Sequence, residues 1–202
     1  MSNIGISLKK FLFAVVVAAL FAAPSMADTV TFSGNTTGGP TYNRTETGTA
    51  PGTLSIIGTA VRYSVFQVNV SATGNYSFLS TSTTTDYNPF IALYTNGFNP
   101  TTPLANFTIA NDNRAPGNFT QSALGVMPQP LLSLTTGVNY FLVQSGFDNG
   151  DFGAFNIVAN GPGIITVTPG GGGAPIPEPA TMILLSTGLA GLAARARQRR
   201  KN

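Results

Sequence analysis

Asp148 and Asp151 sit close together in the stretch FDNGDFG. Two carboxylates facing each other across a sugar, one with a raised pKa, are what glycoside hydrolysis uses. Together with Asp86, Asn111, Asp112 and Asn113, the same side chains offer the oxygen ligands that suit a hard cation such as calcium. The spacing selects neither chemistry. Neither the NDN run nor the DNGD run follows an EF-hand loop, and no Glu is placed to bind a cation bidentately. Asp, Asn and Gly are also the residues that a turn requires. Asp86, Asp112, Asp148 and Asp151 therefore stand as candidate calcium ligands, with solvated turn residues as the plainer alternative.

The remaining inventory removes most catalysis. The chain has no His and no Cys, so the usual general base, the thiolate nucleophile and the two best transition-metal ligands are all missing. No Lys occurs between Asp28 and Arg195, which closes Ser-Lys chemistry as well. The expectation is a protein without enzymatic activity. Tyr42, Tyr87, Phe98, Phe107, Phe119, Phe147 and Phe152 lie in or near turn-rich stretches. They could form a sugar-binding platform or small satellite cores under loops, and Trp, the ring best suited to stacking, is absent.

Charge excludes nucleic acid as a partner. The overall +3 resides at the ends, in Lys9 and Lys10 and in Arg195, Arg197, Arg199, Arg200 and Lys201. Over residues 28–160, Arg44, Arg62 and Arg114 face Asp28, Glu46, Asp86, Asp112, Asp148 and Asp151, a net of −3. A phosphate-neutralising face needs clustered cations, and here three are scattered.

The elements that must position these residues are strands. A chain of 202 residues, 43% hydrophobic, allows one domain with a core once both ends are set aside. Only 8% of residues are charged and 23 are Gly, a composition of strands and turns. Phe66, Val68 and Val70 alternate with Gln67, Asn69 and Ser71, the period of a half-buried strand. With a turn at Gly74-Asn75, residues 62–70 and 75–80 read as a hairpin. Further strands are expected at 29–33, 53–57, 90–94, 104–109, 138–144 and 154–159. The fold class is all-β, an antiparallel β-sandwich over residues 28–160.

Both ends carry export features. Lys9 and Lys10, the apolar run 11–23 and the small-x-small site Ser25-Met26-Ala27 read as a signal peptide, residues 1–27, cleaved before Asp28. The alternative, a membrane anchor, is too short: that run spans roughly 20 Å as a helix against roughly 30 Å of hydrocarbon. Residues 161–176 read as a linker, since 160–179 hold 11 Gly or Pro. Residues 180–194 form a short apolar stretch just able to span a membrane as a helix, and the basic cluster from Arg195 to Lys201 holds that end in the cytoplasm. Pro177, Glu178 and Pro179 then lie in an extended segment at the outer membrane surface. By physical chemistry alone that segment is equally a stiff spacer or a grip for a processing enzyme.

Resemblance separates the two. Pro177-Glu178-Pro179-Ala180-Thr181, the apolar run 182–194 and Arg195-Ala196-Arg197-Gln198-Arg199-Arg200 together resemble the bacterial PEP-CTERM sorting signal, residues 177–202 here. The resemblance implies processing near the tripeptide by an exosortase, a membrane-embedded cysteine transpeptidase. It also implies a Gram-negative source that makes exopolysaccharide or biofilm matrix. Export would pass through an inner-membrane intermediate, held by the C-terminal helix, to the cell surface, outer membrane or exterior. Residues 61–159 resemble, through YSVFQVNVSATGNYSF, DYNPFIALYT, ANDN, LTTGVNYFLVQSG and GDFGAFNI, the bacterial pre-peptidase C-terminal-like domain. That similarity implies a jelly-roll-like sandwich acting as an accessory module. The function expected is a non-catalytic structural or adhesive role at the cell surface or in the matrix; the alternative is a carbohydrate-binding module for exopolysaccharide.

Overall fold

The computed structural model describes residues 27–170, and every regular element among them is a strand. In chain order these are β1 (Asp28–Asn35), β2 (Thr41–Tyr42), β3 (Gly48–Thr49), β4 (Val61–Val70), β5 (Gly74–Ser82) and β6 (Pro89–Thr95). They continue with β7 (Phe107–Asn111), β8 (Gln121–Leu124), β9 (Leu132–Leu134), β10 (Tyr140–Gly146), β11 (Ala154–Gly161) and β12 (Ile165–Gly170). One sheet has the order β1-β11-β5-β8, with β9 also beside β5. The other has the order β12-β4-β10-β6-β7-β3, with β2 also beside β4. All of these pairings are antiparallel.

Alternation builds the core between the sheets. Phe66, Val68 and Val70 of β4, Ile91 and Leu93 of β6 and Leu142 of β10 meet Tyr76 and Phe78 of β5 and Phe155 and Ile157 of β11. The expected hairpin of 62–70 and 75–80 does not form. β4 pairs with β2, β10 and β12, whereas β5 pairs with β8, β9 and β11. Residues 71–73 carry the chain from one sheet across to the other, and Gly74-Asn75, the expected turn, already belongs to β5 and pairs with β9. An alternating pattern says which side chains face inward, and it is the same whether the next inward strand lies beside or opposite. Tyr76 fixes the crossing: its hydroxyl donates to the Ala72 carbonyl at 2.6 Å, and its ring leaves Gly161 no room for a side chain.

The seven-stranded sheet is covered on its second face too. Val61, Tyr63, Val65, Phe90, Ala92, Tyr94 and Val143 form a separate buried cluster with Tyr42, under an arm of residues 36–60. Double burial explains why β6 reads PFIALYT without a polar break. Within the arm the expected strand at 53–57 is only an isolated bridge between Thr45 and Leu54, and Ile56 is 90% exposed. β7 starts at Phe107, because Asn106 adopts a φ of 61° in the preceding turn. β12 lies inside the stretch read as linker. Ile165 and Val167 pack on the core in alternation, and Pro169 is tolerated at the edge of the sheet. The signal peptide up to residue 26, the remaining linker, the tripeptide, the apolar stretch and the basic cluster lie outside the described residues.

Candidate functional site

The chemistry-bearing side chains gather at one end of the seven-stranded sheet, where β6 begins and β7 and β10 end. There the N–H of Phe147 donates to the Asn88 carbonyl at 3.0 Å. Arg44 reaches this corner from the arm and is 1% exposed. Its guanidinium lies over the rings of Phe90 at 4.2 Å and Phe147 at 4.9 Å, a cation–π arrangement from two rings. Nε donates to the Phe147 carbonyl and Nη1 to the Thr45 carbonyl, both at 2.8 Å. Glu46, at 4.0 Å, is the one carboxylate in ion-pair range among the described residues, and its side chain is 44% exposed. The arm is shaped around this group. Arg44 N–H donates to the Gly58 carbonyl at 2.9 Å, and a side chain at Gly58 would collide with the Arg44 stem. Sequence reasoning missed Arg44; the one signal was its rarity, an Arg in a domain with only three, two residues after Tyr42.

Asp112, Asp148 and Asp151 surround the corner. Burial pushes the Asp112 carboxyl up to about 6, Arg44 pulls it back and Asp151 raises it further. Its Oδ2 accepts from Asn113 Nδ2 at 2.8 Å, while Oδ1 has no protein partner. Burial likewise raises Asp151, offset by backbone N–H groups. Asp151 Oδ2 accepts the Asp148 N–H at 3.0 Å, and Asp148 Oδ1 accepts the Gly150 N–H at 2.7 Å. These carboxylates close a turn on themselves, as Asx residues do. Asp86 is exposed at φ 60° and is not among the charges that shift Arg44, Asp112 or Asp151. Among the described residues, no group of three or more acidic side chains could hold a metal ion. The proposed calcium set is thus not assembled: one member stands apart, two bind backbone N–H groups, and a guanidinium already brings positive charge to the cluster.

The aromatic residues divide in the same way. Tyr42, Tyr87 and Phe107 are buried, and Phe98 packs edge-on against Tyr42 and Tyr63. Phe147 is taken by Arg44. Phe119 is 61% exposed, and Phe152, at 38%, carries the Arg62 guanidinium 4.5 Å above its ring. Burial pushes the Tyr42 hydroxyl up to about 12 and raises Tyr94 and Tyr87 as well. Tyr87 donates to the Ser145 carbonyl at 2.9 Å and accepts from Gln144 Nε2 at 3.0 Å. The hydroxyls of Tyr42 and Tyr94 have no partner in hydrogen-bonding geometry.

The sorting residues frame this domain. Ala27 is exposed at the head of β1, so the expected cleavage point lies at the surface. Ser25, Pro177, Glu178, Pro179, Arg195, Arg197, Arg199, Arg200 and Lys201 fall outside the described residues. No curated protein matches the chain. Residues 175–200 match the family described as the PEP-CTERM protein-sorting motif. The chain therefore carries a PEP-CTERM sorting motif, which implies export through the membrane to the cell surface and processing by exosortase, a membrane enzyme.

Proposed function

We propose that this chain is a non-catalytic structural or adhesive component of the bacterial cell surface or extracellular matrix, displayed or released after its tail is processed. The observation that carries the reading is the sorting motif at residues 175–200, joined to a β-sandwich in which Arg44 holds an arm and Asp148 and Asp151 hold a turn. The strand orders β1-β11-β5-β8 and β4-β10-β6-β7 are those of a chain wound alternately through two sheets, as in a jelly roll. This supports an accessory module of the pre-peptidase C-terminal-like kind. A glycosidase reading would need Asp148 and Asp151 free to face a sugar, and both carboxylates accept turn N–H groups instead. A carbohydrate-binding reading has little to stand on, since most of the candidate rings pack inside.

Mass spectrometry of the protein from exosortase-bearing cells tests the sorting. The expected mature chain starts at Asp28 and ends near Pro177 to Pro179, and deleting the exosortase leaves the tail intact. An unprocessed chain in the cytosol of the wild-type cells would overturn the reading. A glycan array with the same mature protein tests the role: no binding to matrix sugars supports a structural part, whereas binding lost on replacing Phe119 or Phe152 by Ala would move the assignment to a carbohydrate-binding module.

A further inference from the structure

The strand edges that the sandwich leaves open are not alike. β3, β8 and β9 are two, four and three residues long, too short to template much pairing. On β12, the Ser71 N–H bonds to the Ile164 carbonyl opposite it. In an antiparallel ladder this turns the backbone of 166, 168 and 170 toward β4 and that of 165, 167 and 169 outward. Asp28 Oδ2 takes the Ile165 N–H at 2.9 Å and Pro169 has none, so Val167 keeps the one outward donor of β12. That edge is blunted in the usual way.

β1 is not. The Thr36 N–H bonds to the Gly153 carbonyl opposite it at 3.0 Å, and the Thr83 N–H bonds to the Ala154 carbonyl at 2.9 Å. Both place residues 28, 30, 32 and 34 against β11 and leave Thr29, Thr31 and Ser33 with outward N–H and C=O groups. The strand runs eight residues without Pro, Lys or Arg, and its register with β11 is unbroken. Alongside it, Val30, Phe32, Phe66, Val167 and Pro169 help line a groove of about 500 Å³ between β1 and β12. An open edge beside an apolar groove suits an added strand.

The chain itself supplies a segment at the right place. Gly170 lies opposite Val65, and Ser64 Oγ, one residue away, donates to the Asn35 carbonyl at 3.2 Å. The chain thus leaves β12 beside the Asn35 end of β1. Gly171, Gly172 and Gly173 follow, then Ala174-Pro175-Ile176-Pro177-Glu178-Pro179. Three residues reach about 10 Å, roughly the distance between packed sheets. Backbone groups alternate sides along a strand, so prolines at 175, 177 and 179 remove donors from one edge only. Ala174, Ile176 and Glu178 keep a full set on the other. Antiparallel pairing sets Ser33 opposite Ala174, Thr31 opposite Ile176 and Thr29 opposite Glu178. The proline rings then share the face of Val30 and Phe32, over the groove.

We propose that residues 174–179 dock on the free edge of β1 as an added antiparallel strand, their prolines covering the apolar groove between β1 and β12. The tail is tethered at the groove's rim, so its effective concentration there is high. The docking goes beyond the sorting assignment and stands whether or not the tail is processed. Docked, the tripeptide is held against the folded domain, and an enzyme that grips it must first lift it off.

The absence of Cys makes the test clean. In the full chain in lipid nanodiscs, the pair Thr31→Cys with Ile176→Cys is oxidised and the intramolecular disulfide followed, since opposed strand residues lie within bridging distance. The expected rate is about tenfold above those of Thr31→Cys with Ala174→Cys or with Glu178→Cys, because a loose tail would close all three loops at similar rates. Equal rates overturn the proposal. Efficient disulfide-linked dimers from Thr31→Cys alone would give the edge to a second copy and overturn it too. Hydrogen exchange of the cysteine-free chain is the independent check. The Thr29, Thr31 and Ser33 amides are expected to exchange about tenfold faster in Ile176→Pro, which strips the pairing edge of a donor outside the folded domain. Identical exchange in the two chains overturns the docking.

Discussion

Val65 and Phe66 are neighbours in β4 yet pack into different layers, Phe66 between the two sheets and Val65 under the arm of residues 36–60. Between the sheets, each face is closed by a ladder that satisfies its own backbone, so apolar side chains suffice. The tyrosines that enter that layer bring their own solutions: Tyr76 donates to Ala72, Tyr87 to Ser145, and the Tyr140 hydroxyl accepts the Thr135 N–H at 2.9 Å. Under the arm, the covering chain is irregular and leaves carbonyls that no ladder reaches. Arg44 meets one of them, that of Thr45, and ties the arm to the carbonyl of Phe147 in the loop after β10. Tyr42 and Tyr94 remain with unpartnered hydroxyls. A sheet can close a core with carbon alone; an irregular covering needs long donors, and it tolerates misfits.

The largest expected effect sharpens that contrast. Phe78 is fully buried between the sheets, and Phe78→Ala is expected to lower unfolding stability by about 3–5 kcal/mol through lost transfer energy and a residual cavity. Denaturant unfolding measures it. A loss no larger than that of Val65→Ala under the arm would show that the two layers are packed alike.

The inner layer was also the legible one. The alternation of Phe66, Val68 and Val70 carried β4 through its period of two, and the unbroken apolar run of β6 carried a strand buried on both faces. Pairing was not legible: the same alternation is compatible with Tyr76 beside or across from Phe66, and the hairpin expectation failed on that ambiguity. β12 was hidden by composition, since Pro169 and the glycines around it look like linker although Ile165 and Val167 alternate into the core. The corner around Arg44 was illegible for another reason. Asp112, Asp148 and Asp151 could be named from the sequence, but only the three-dimensional ends of β6, β7 and β10 bring them to an Arg located far upstream. The sorting tail needed no folding to be read, since its signal is an order of segments.

The next effect breaks the comparison from the other side. Arg44→Ala removes a buried stem, two charge-assisted hydrogen bonds and two ring contacts, and is expected to cost about 2–4 kcal/mol. Arg44→Met keeps the bulk between Phe90 and Phe147 and discards the buried charge, whose desolvation is itself unfavourable, so its cost is expected below about 1 kcal/mol. Should Met prove as damaging as Ala, the arm is held by the hydrogen bonds to Phe147 and Thr45, and packing is secondary. Thermal unfolding of both variants decides.

Asp112 gives a smaller, pH-dependent difference. Its folded pKa, pushed up to about 6 by burial, stands above the roughly 3.9 of an unfolded carboxyl. Between these values the folded state binds more protons than the unfolded one, so this group makes stability fall as pH rises from about 4 to 6 and then level off. Asp112 is partly exposed, and after solvent screening the change is about 1 kcal/mol. Asp112→Asn is expected to abolish this slope and to be the more stable form at neutral pH. An unchanged slope in the variant would assign the effect to Asp151, whose pKa is raised by burial as well.

The smallest effect isolates the misfit itself. Burial raises the pKa of the Tyr94 hydroxyl, and Tyr42 and Thr45 lie near enough to bias its ionisation, yet none of them meets it in hydrogen-bonding geometry. Removing an unpartnered buried hydroxyl deletes a desolvated group and forfeits no bond, so Tyr94→Phe is expected to be neutral or stabilising by up to about 1 kcal/mol. Tyr87→Phe is the matched control between the sheets, where the hydroxyl has partners on both sides, and it is expected to destabilise by about 1–2 kcal/mol. Equilibrium unfolding of the pair reads the difference directly. If both variants lose equally, a bound water satisfies Tyr94, and the layer under the arm is as well paired as the one between the sheets.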